Sequence, residues 1–534
     1  MLNTKTVRNC LAAFLASFLA VTPGAARQAE AAEDSARTLH LLRRATFGVR
    51  PEDLSAVLSM GREAWIDRQL ASAGIADPQL DVRLTSHAAL LLPIHELMER
   101  FSPPMRDARA DSAGLRRGRA LDPSMRSGTG SPRQLLGELV TAKLLRAVHS
   151  ERQLEEVMTD FWFNHFNVFF GKNLTRYMIA DYEREAIRPH VFGRFEDMLL
   201  ATARHPAMLY YLDNWTSVAP GSTRTARRDP ARGRVRGINE NYARELLELH
   251  TLGVDGGYSQ EDVIAVARAF TGWTFVPPRR RGSAAGGPVT FRFNTAGHDT
   301  GTKTVLGTTL PAGRGIEDGE EVIRRLALHP TTARFLAGKL VERFVSDTPD
   351  SAFVHELARV YLDSDGDLRA VTRALFTSPR FHDAAVRGTK VKTPFELVAS
   401  TLRVTAAEIG QSWQLIQTLR ALGQLPYTES APTGFPAASE HWVSSSALLA
   451  RMNFALEIAT GRVDGVRVEP FAQSPLHDAS LDRMIAALLP GMPADDLAET
   501  IRDDLARHQT GANGDPPLAR AVGLVLGSPH FQRR

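Results

Sequence analysis

The sequence of 534 residues contains a single cysteine, Cys10. It lies in front of the apolar run of an N-terminal export signal, whereas a lipid-anchor cysteine would follow that run. Once the signal is removed, the chain has no thiol. This lack excludes disulfides, thiol catalysis, zinc-thiolate sites, iron-sulfur clusters and covalently attached haem. Any metal would have to be held by histidine, carboxylate or amide side chains, or by water.

Common catalytic and nucleotide-binding motifs are missing as well. The sequence has no Gly-x-Ser-x-Gly elbow, no P-loop, no dinucleotide fingerprint and no His-Glu-x-x-His zinc motif. The acidic stretch 363–367 resembles the start of an EF-hand loop, but Leu368 and Ala374 occupy the positions that require glycine and glutamate. Asp367 is therefore predicted to be the N-cap of a helix.

The charge balance gives little support to nucleic-acid binding. The formal net charge is only +4, and arginines are concentrated at 224–236 and 279–281. These two clusters contain no aromatic residue on which a base could stack. We therefore expect solvated loops and no nucleic-acid partner.

Long apolar runs are rare, and the clearest one belongs to the N-terminus. Lys5 and Arg8 precede an apolar run at 11–21, and the small residues Ala29 and Ala31 follow it. This is the order of a secretory signal, and the run is shorter than the about 20 residues that span a bilayer. The sequence predicts removal of residues 1–31, a periplasmic or secreted protein, and no stable membrane anchor.

The remaining chain has mostly helical periodicity, which predicts a mainly α fold. The best strand candidates are 289–293 and 304–310, which we expect to form one small β-hairpin. Residues 32–534 are predicted to be a single large multi-helix domain. An alternative is two lobes, 32–275 and 313–534, joined by the hairpin segment 276–312.

The segment 238–254 has an unusually dense charged face. At helical spacing Arg244, Glu245 and Glu248 share one arc with Glu240 and Asn241, and apolar residues fill the other arc. Pairs of opposite charge four residues apart contribute only about 0.2–0.5 kcal/mol each on an exposed helix. Stability alone hardly explains this arrangement, so Arg244, Glu245 and Glu248 are candidate site residues.

His165 is the most informative histidine. A helix predicted over 153–170 places His165 in an apolar stripe with Trp162. Asp160, Asn164 and Asn167 share another face of the same helix. His165 is therefore predicted to point inward, either as a ligand or as a core histidine that bonds a backbone carbonyl or a carboxylate.

His298 and Asp299 stand between Gly297 and Gly301 in the hairpin loop. Loops on a rigid scaffold often carry functional groups, although turn chemistry alone would explain an aspartate between glycines. If this loop folds over the charged helix, His165 or His298 with Glu245 and Glu248 would suit a divalent metal. No residue spacing matches a specific metal motif.

Several segments together resemble the bacterial family known as domain of unknown function 1800. They run in order along nearly all of the chain after the signal: 40–48, 161–168, 205–214, 239–250, 270–273, 298–299, 392–394, 422–424, Trp442 and Arg451. The resemblance implies an exported, largely helical protein, often encoded beside a secreted protein similar to sulfatases and phosphatases. It implies no established activity.

Two functions remain open from the sequence. The favoured one is a non-catalytic scaffold or binding partner of another secreted protein. The alternative is a metal-assisted or carboxylate-based hydrolase, with a glutamate as general base and Arg244 as its electrostatic partner. The candidate site contains His165, Arg244, Glu245, Glu248, His298 and Asp299.

Overall fold

The computed structural model describes residues 23–101, 130–220, 237–277, 288–468, 478–492, 494–507 and 516–534. Helices dominate this part of the chain, and the predicted mainly α fold class is confirmed. The arginine clusters and most of the export signal lie outside the described residues. In chain order the helices are α1 (Pro23–Ala45), α2 (Pro51–Met60), α3 (Arg62–Leu70), α4 (Pro78–Leu84), α5 (Ile94–Phe101), α6 (Pro132–His149), α7 (Gln153–His165), α8 (Ile179–Tyr182), α9 (Phe195–Arg204), α10 (Pro206–Tyr211), α11 (Asn241–Glu245), α12 (Gln260–Ala269), α13 (Glu317–Ala327), α14 (Pro330–Phe344), α15 (Ser351–Asp363), α16 (Leu368–Thr377), α17 (Pro394–Val404), α18 (Trp413–Ala421), α19 (Ser445–Ala459), α20 (Asp478–Leu488), α21 (Asp495–Arg507), α22 (Pro517–Gly527) and α23 (Pro529–Gln532).

Local signals in the sequence set several helix starts. Ser259 and Asp262 form a capping box in front of α12, in which each side chain accepts a hydrogen bond from the backbone N–H of the other residue. Asp367 accepts hydrogen bonds from the first backbone N–H groups of α16, which confirms the predicted N-cap. Pro51 is the first residue of α2, where its missing N–H costs nothing.

Helix α7 ends at His165, five residues before the predicted end. Phe166 leaves the α conformation, with φ −102° and ψ 50°. Its carbonyl oxygen accepts a hydrogen bond of 2.9 Å from the hydroxyl group of Tyr182. Residues 167–170 therefore do not continue the apolar stripe of the helix.

The charged helix is shorter and less regular than predicted. After α11 the chain continues as a π-helix over Leu246–Thr251. The Thr251 hydroxyl donates to the Leu246 carbonyl at 2.6 Å within this wider turn. The wider turn changes the register of Glu248 relative to Arg244. Arg244 pairs with Glu240 at 3.3 Å, and no ion pair between Arg244 and Glu248 forms within this described segment.

The strands form three small antiparallel sheets instead of one hairpin. Strand β1 (Trp273–Phe275) pairs with β2 (Phe291–Phe293), β3 (Lys303–Val305) pairs with β4 (Thr308–Leu310), and β5 (Glu408–Ile409) pairs with β6 (Val466–Arg467). Leu306 and Gly307 both have positive φ, 47° and 75°, as a two-residue hairpin turn requires. This turn folds the predicted second strand back on itself, so the pairing predicted between 289–293 and 304–310 is wrong.

A single apolar core extends from Leu39 to Phe531. Trp162 of α7 is fully buried within it. The guanidinium of Arg403, on α17, donates to the carbonyl oxygens of Gly48 at 2.8 Å and Val148 at 2.7 Å, which joins distant parts of the chain. Both predicted lobes contribute to this core, and the division at 276–312 stays a prediction.

None of the helices in the described ranges is both long enough and apolar enough to cross a membrane. Helix α1 extends across the predicted cleavage position after Ala31, and residues 27–32 are exposed. The cleavage itself stays a prediction.

Candidate functional site

His165 is a core histidine with one unpartnered nitrogen. Its side chain lies at the end of α7, and the residue is only 4% exposed. Its Nε2 lies 3.1 Å from the backbone carbonyl oxygen of His250, and its ring packs edge-on against Trp162 and Phe166. Burial, together with the charge of Lys339, lowers the pKa of His165 well below its ordinary value. The ring is therefore neutral and donates from Nε2, which leaves Nδ1 as an acceptor without a partner among the described residues.

His298 and Asp299 belong to a buried ionic cluster. Nδ1 of His298 lies 2.8 Å from the Thr271 carbonyl, and its Nε2 lies 3.4 Å from the Asp318 carboxylate. Lys303 donates to the same carboxylate at 2.7 Å. The Lys303 and Asp318 side chains are almost fully buried, so their charges depend on each other for solvation. The cluster ties strand β3 to helix α13.

Asp299 binds Arg268 of α12 through two hydrogen bonds of 2.8 and 3.1 Å. Although burial acts in the opposite direction, the bonds from Arg268 hold the pKa of Asp299 below its ordinary value. The Asp299 carboxylate also accepts the backbone N–H of Gly301, as turn chemistry predicts. Asp299 thus links the loop to the helix.

The carboxylates of the charged helix remain at the surface. Glu245 and Glu248 are half-buried, and Arg244 donates to Gln260 at 2.9 Å as well as to Glu240. Burial and the negative charge of Glu248 raise the pKa of Glu245 against the opposing charge of Arg244. A carboxyl group with a raised pKa can donate or accept a proton closer to neutral pH than an ordinary one.

The structure does not assemble the metal site expected from the sequence. Across the described ranges, no group of three or more histidine, cysteine or carboxylate residues is placed to hold one metal ion. The hypothesis that His165 or His298 joins Glu245 and Glu248 in one ligand set is therefore wrong there. His165 forms a hydrogen bond with the backbone carbonyl group of His250, and His298 lies beside Asp318 of α13. Neither imidazole forms an ion pair or a hydrogen bond with Glu245 or Glu248 in the described structure. Catalytic roles for the six candidate residues stay a prediction.

A cavity of about 380 Å³ lies beside α7. We call it the α7 cavity. Its wall is formed by one face of α7, by α14, by the start of α17 and by the segment 424–441. A volume of this size is in the range of small-molecule binding sites. His165 contributes to the wall, together with the polar-face residues Asp160, Asn164 and Asn167.

Asn164 and Asn167 hold the segment that closes the α7 cavity. The Asn164 amide both donates to the Phe435 carbonyl at 2.9 Å and accepts from the Phe435 N–H at 2.8 Å. Asn167 donates to the carbonyl groups of Glu429 at 3.0 Å and Ala431 at 2.8 Å. Asn164 lies in the last turn of α7, and Asn167 lies just after it. Their side-chain amides form hydrogen bonds with backbone groups of an irregular segment and so hold it in place.

Two lysines line the α7 cavity, and they differ in their charged partners. Lys143 pairs with Asp160 at 3.0 Å and lies 3.9 Å from Glu183, which in turn accepts the Tyr427 hydroxyl. Burial disfavours the charged form of Lys143, but these two carboxylates outweigh it and raise its pKa. Lys339, in contrast, has no carboxylate within 4 Å among the described residues, and burial lowers its pKa.

The sequence placed Asp160 and Asn164 correctly on a polar face of α7, whereas Asn167 lies beyond the end of the helix, and it gave neither lysine as a candidate. A lysine within the apolar run of α6 was the available signal for Lys143. Lys339 gave no such signal, because a single lysine on a helix is ordinarily solvated. The Lys339 side chain is half-buried, and its Nζ lies 5.3 Å from the centroid of the Phe335 ring.

The comparisons with known proteins give a family and no function. A family model described as "Protein of unknown function (DUF1800)" matches residues 40–533. Neither the search of curated proteins nor the search of solved structures found a match.

Proposed function

The chain belongs to the DUF1800 family, whose description states no function, and we propose that this protein is an exported binding partner of another exported protein. The binding surface in this proposal is the exposed face of α19 together with the mouth of the neighbouring α7 cavity. The family resemblance makes a secreted sulfatase-like or phosphatase-like protein the first partner to test. The sequence contains none of the common catalytic motifs, so no motif supports an enzymatic function over a binding role.

The observation that carries the proposal is a stripe of exposed apolar side chains. We call it the α19 stripe, and its members are 40–61% exposed: Val443, Leu448, Leu449 and Met452. The last three recur at the spacing of one helix face, and Val443 lies just before the helix. Single exposed apolar residues are common, whereas a group on one face marks an interaction surface.

The α7 cavity extends the proposed surface toward polar groups. Ala438 and His441 line the cavity, and the chain runs from His441 directly into the α19 stripe. An acidic group of a partner that enters the cavity would find Lys339 in its wall. That lysine has no carboxylate within 4 Å in the described structure, so such a pair would satisfy it.

Affinity capture with chemical cross-linking from the native extracytoplasmic fraction tests the binding role. The variant carries Leu449→Ser together with Met452→Ser. The matched control is Val82→Ser, which alters an apolar residue that is 71% exposed on helix α4. We expect a partner that the wild type and the control both capture and that the double variant loses. Equal capture by all three proteins, or capture of the protein alone, would contradict the proposal.

Export has its own test. The N-terminus of the protein recovered from the periplasm or the medium is sequenced, and we expect it to begin close to Ala32. An intact N-terminus on protein confined to the cytoplasm would contradict export, whatever the outcome of the capture experiment.

A second candidate function is favoured by the raised pKa of Glu245 beside Glu248. In this hydrolase reading Glu245 is the general base and Arg244 stabilises developing negative charge. A panel of ester and phosphate-ester substrates, assayed with and without chelator, tests it. Glu245→Gln is expected to leave the fold intact and abolish turnover, and Glu261→Gln, at an exposed position of α12, is the control. Turnover that survives Glu245→Gln would exclude this role.

A further inference from the structure

A second buried region, where α17 meets α1 and the last described residues, has a marked excess of positive charge. Glu396 pairs with Arg343 at 2.6 Å and with Arg534 at 2.5 Å. Although burial acts in the opposite direction, these two guanidinium groups lower the pKa of Glu396 to about 2. Asp347, the other nearby carboxylate, pairs with Lys390. Both carboxylates are therefore already matched by cations.

Four further cations surround Glu396 without an ion pair of their own. No carboxylate of the described residues lies within 4 Å of the charged atoms of this set, which contains Arg43, Arg44, Lys392 and Arg451. Arg44 is fully buried, and its Nε and Nη1 have no hydrogen-bond partner. A guanidinium does not lose its proton in a protein, so it must be solvated by an anion, a dipole or water.

A small cavity opens into this region, and we call it the α1–α17 pocket. It encloses about 30 Å³, and its lining includes Arg43, Lys392, Ser400 and Arg534, together with Glu396, the carboxylate that pairs with Arg534. Arg534 is 3% exposed, and its Nε has no hydrogen-bond partner within the described structure. The ammonium group of Lys392 donates to the Ser400 hydroxyl at 3.0 Å and lies 3.7 Å from the centroid of the Phe531 ring.

We propose that the α1–α17 pocket binds a small inorganic anion, held by Arg43, Lys392 and Arg534. An anion there would compensate Arg43 and Lys392, which have no carboxylate of the described chain within 4 Å, and would add a second partner for Arg534, which already pairs with Glu396. Burial and the charge of Arg43 lower the pKa of Lys392 well below its ordinary value, and an anion beside it would favour its charged form. A cavity of this volume has room for a water molecule or a small anion.

Anion-dependent thermal unfolding of the full exported chain tests the proposal. The protein is dialysed into chloride-free buffer, and sodium chloride or sodium phosphate then replaces sodium gluconate at constant ionic strength. A specific site gives a melting temperature that rises and saturates with the anion concentration. A general salt effect continues to change without saturating. The saturating anion identifies the ligand, and a saturating response to either one supports a built anion site.

Lys392→Met removes the ammonium charge and keeps much of the side-chain volume. We expect the apparent Kd for the anion to increase at least tenfold in this variant. Lys172→Met is the matched control. Lys172 does not line the pocket and pairs with Asp213 at a distance of 2.8 Å, so this variant should keep the wild-type response. The readout is the anion response and not the stability itself, so a variant that is more stable without anion still tests the site.

Bromide soaked into crystals of the wild-type protein gives a second measurement that does not depend on a variant folding. We expect an anomalous peak between Arg43 and Lys392. The proposal is overturned if no anion gives a saturating response, if Lys392→Met retains it, or if bromide occupies only other positions.

Discussion

Asp318 is the residue on which the ionic cluster around His298 depends. Its carboxylate accepts from Lys303 and lies near His298, and all three side chains are buried; Arg314, which also pairs with it, is partly exposed. Asp318→Asn leaves the Lys303 charge buried without its anion, and we expect a loss of about 3–5 kcal/mol in the free energy of unfolding. Urea denaturation measures this loss.

The matched control for Asp318 is an exposed ion pair of similar length. Asp67 pairs with Arg373 at 2.7 Å, and about half of each side chain is exposed. Asp67→Asn should cost no more than about 1 kcal/mol. Equal costs for the two variants would show that the cluster at His298 contributes no more than a surface pair, and a functional role for His298 would then regain weight.

For single side chains, the sequence predicted which ones point inward better than it predicted their hydrogen-bond partners. The apolar stripe of α7 correctly places His165 inward. Its partner, the His250 carbonyl, is 85 residues away in a π-helical turn that no local pattern predicts. The same holds for His298, because Asp318 lies 20 residues further along the chain on the buried face of α13.

Among the elements, the segment 424–441 depends most on a few side chains. Asn164 supplies two hydrogen bonds to the Phe435 backbone, and each contributes about 0.5–1.5 kcal/mol. Asn164→Ala should therefore cost about 1–3 kcal/mol and speed hydrogen exchange of the amides in 429–438. Asn453→Ala, at an exposed position of α19, is the control. Unchanged exchange in 429–438 would mean that other contacts hold the segment.

Gly434 tests how closely this segment packs on α7. A Cβ atom at Gly434 would lie 2.4 Å from the Asn164 carbonyl oxygen, and φ is +72°. Gly388 has a similar φ of +64° but open space around it. Alanine at either position costs the same backbone strain, so the difference between Gly434→Ala and Gly388→Ala isolates the steric contact. We expect the Gly434 variant to lose about 1–3 kcal/mol more on unfolding, and equal losses would contradict that contact.

Helix starts are predictable from this sequence, whereas strand partners are not. Caps such as Ser259 with Asp262 act within four residues, and the structure has them where the pattern places them. The strand at 291–293 pairs with 273–275, because the aromatic residues of β1 and β2 pack together, with Trp273 and Phe291 rings 5.2 Å apart. That choice depends on tertiary packing and not on local periodicity.

Composition and helical periodicity predict the fold class correctly, but they do not predict where the cavities of the protein lie. A long chain with helical periodicity and few strand signals can bury its apolar stripes only by packing helix on helix. The α7 cavity and the α1–α17 pocket are formed by segments up to several hundred residues apart. Apart from Lys143, whose apolar surroundings on α6 are visible in the sequence, their lysines and arginines look like surface charges, and only the tertiary packing brings them together.

Buried neutral histidines predict a loss of stability in mild acid. Burial is the main reason that the pKa of His40 falls to about 2, that of His250 to about 3 and that of His165 well below its ordinary value. Below about pH 6.5 these histidines bind protons in the unfolded chain but not in the folded chain. Their contribution to the free energy of unfolding is therefore fully present above that pH and decreases as the pH falls. At pH 5.5 each imidazole costs about 1.4 kcal/mol, or about 4 kcal/mol for the three. Glu245, with its raised pKa, opposes this trend at lower pH.

Urea denaturation at pH 7.5 and pH 5.5 should show this loss in the free energy of unfolding. Both values lie above the range in which ordinary carboxyl groups titrate. Equal free energies of unfolding at the two pH values would mean that these rings are not buried in neutral form.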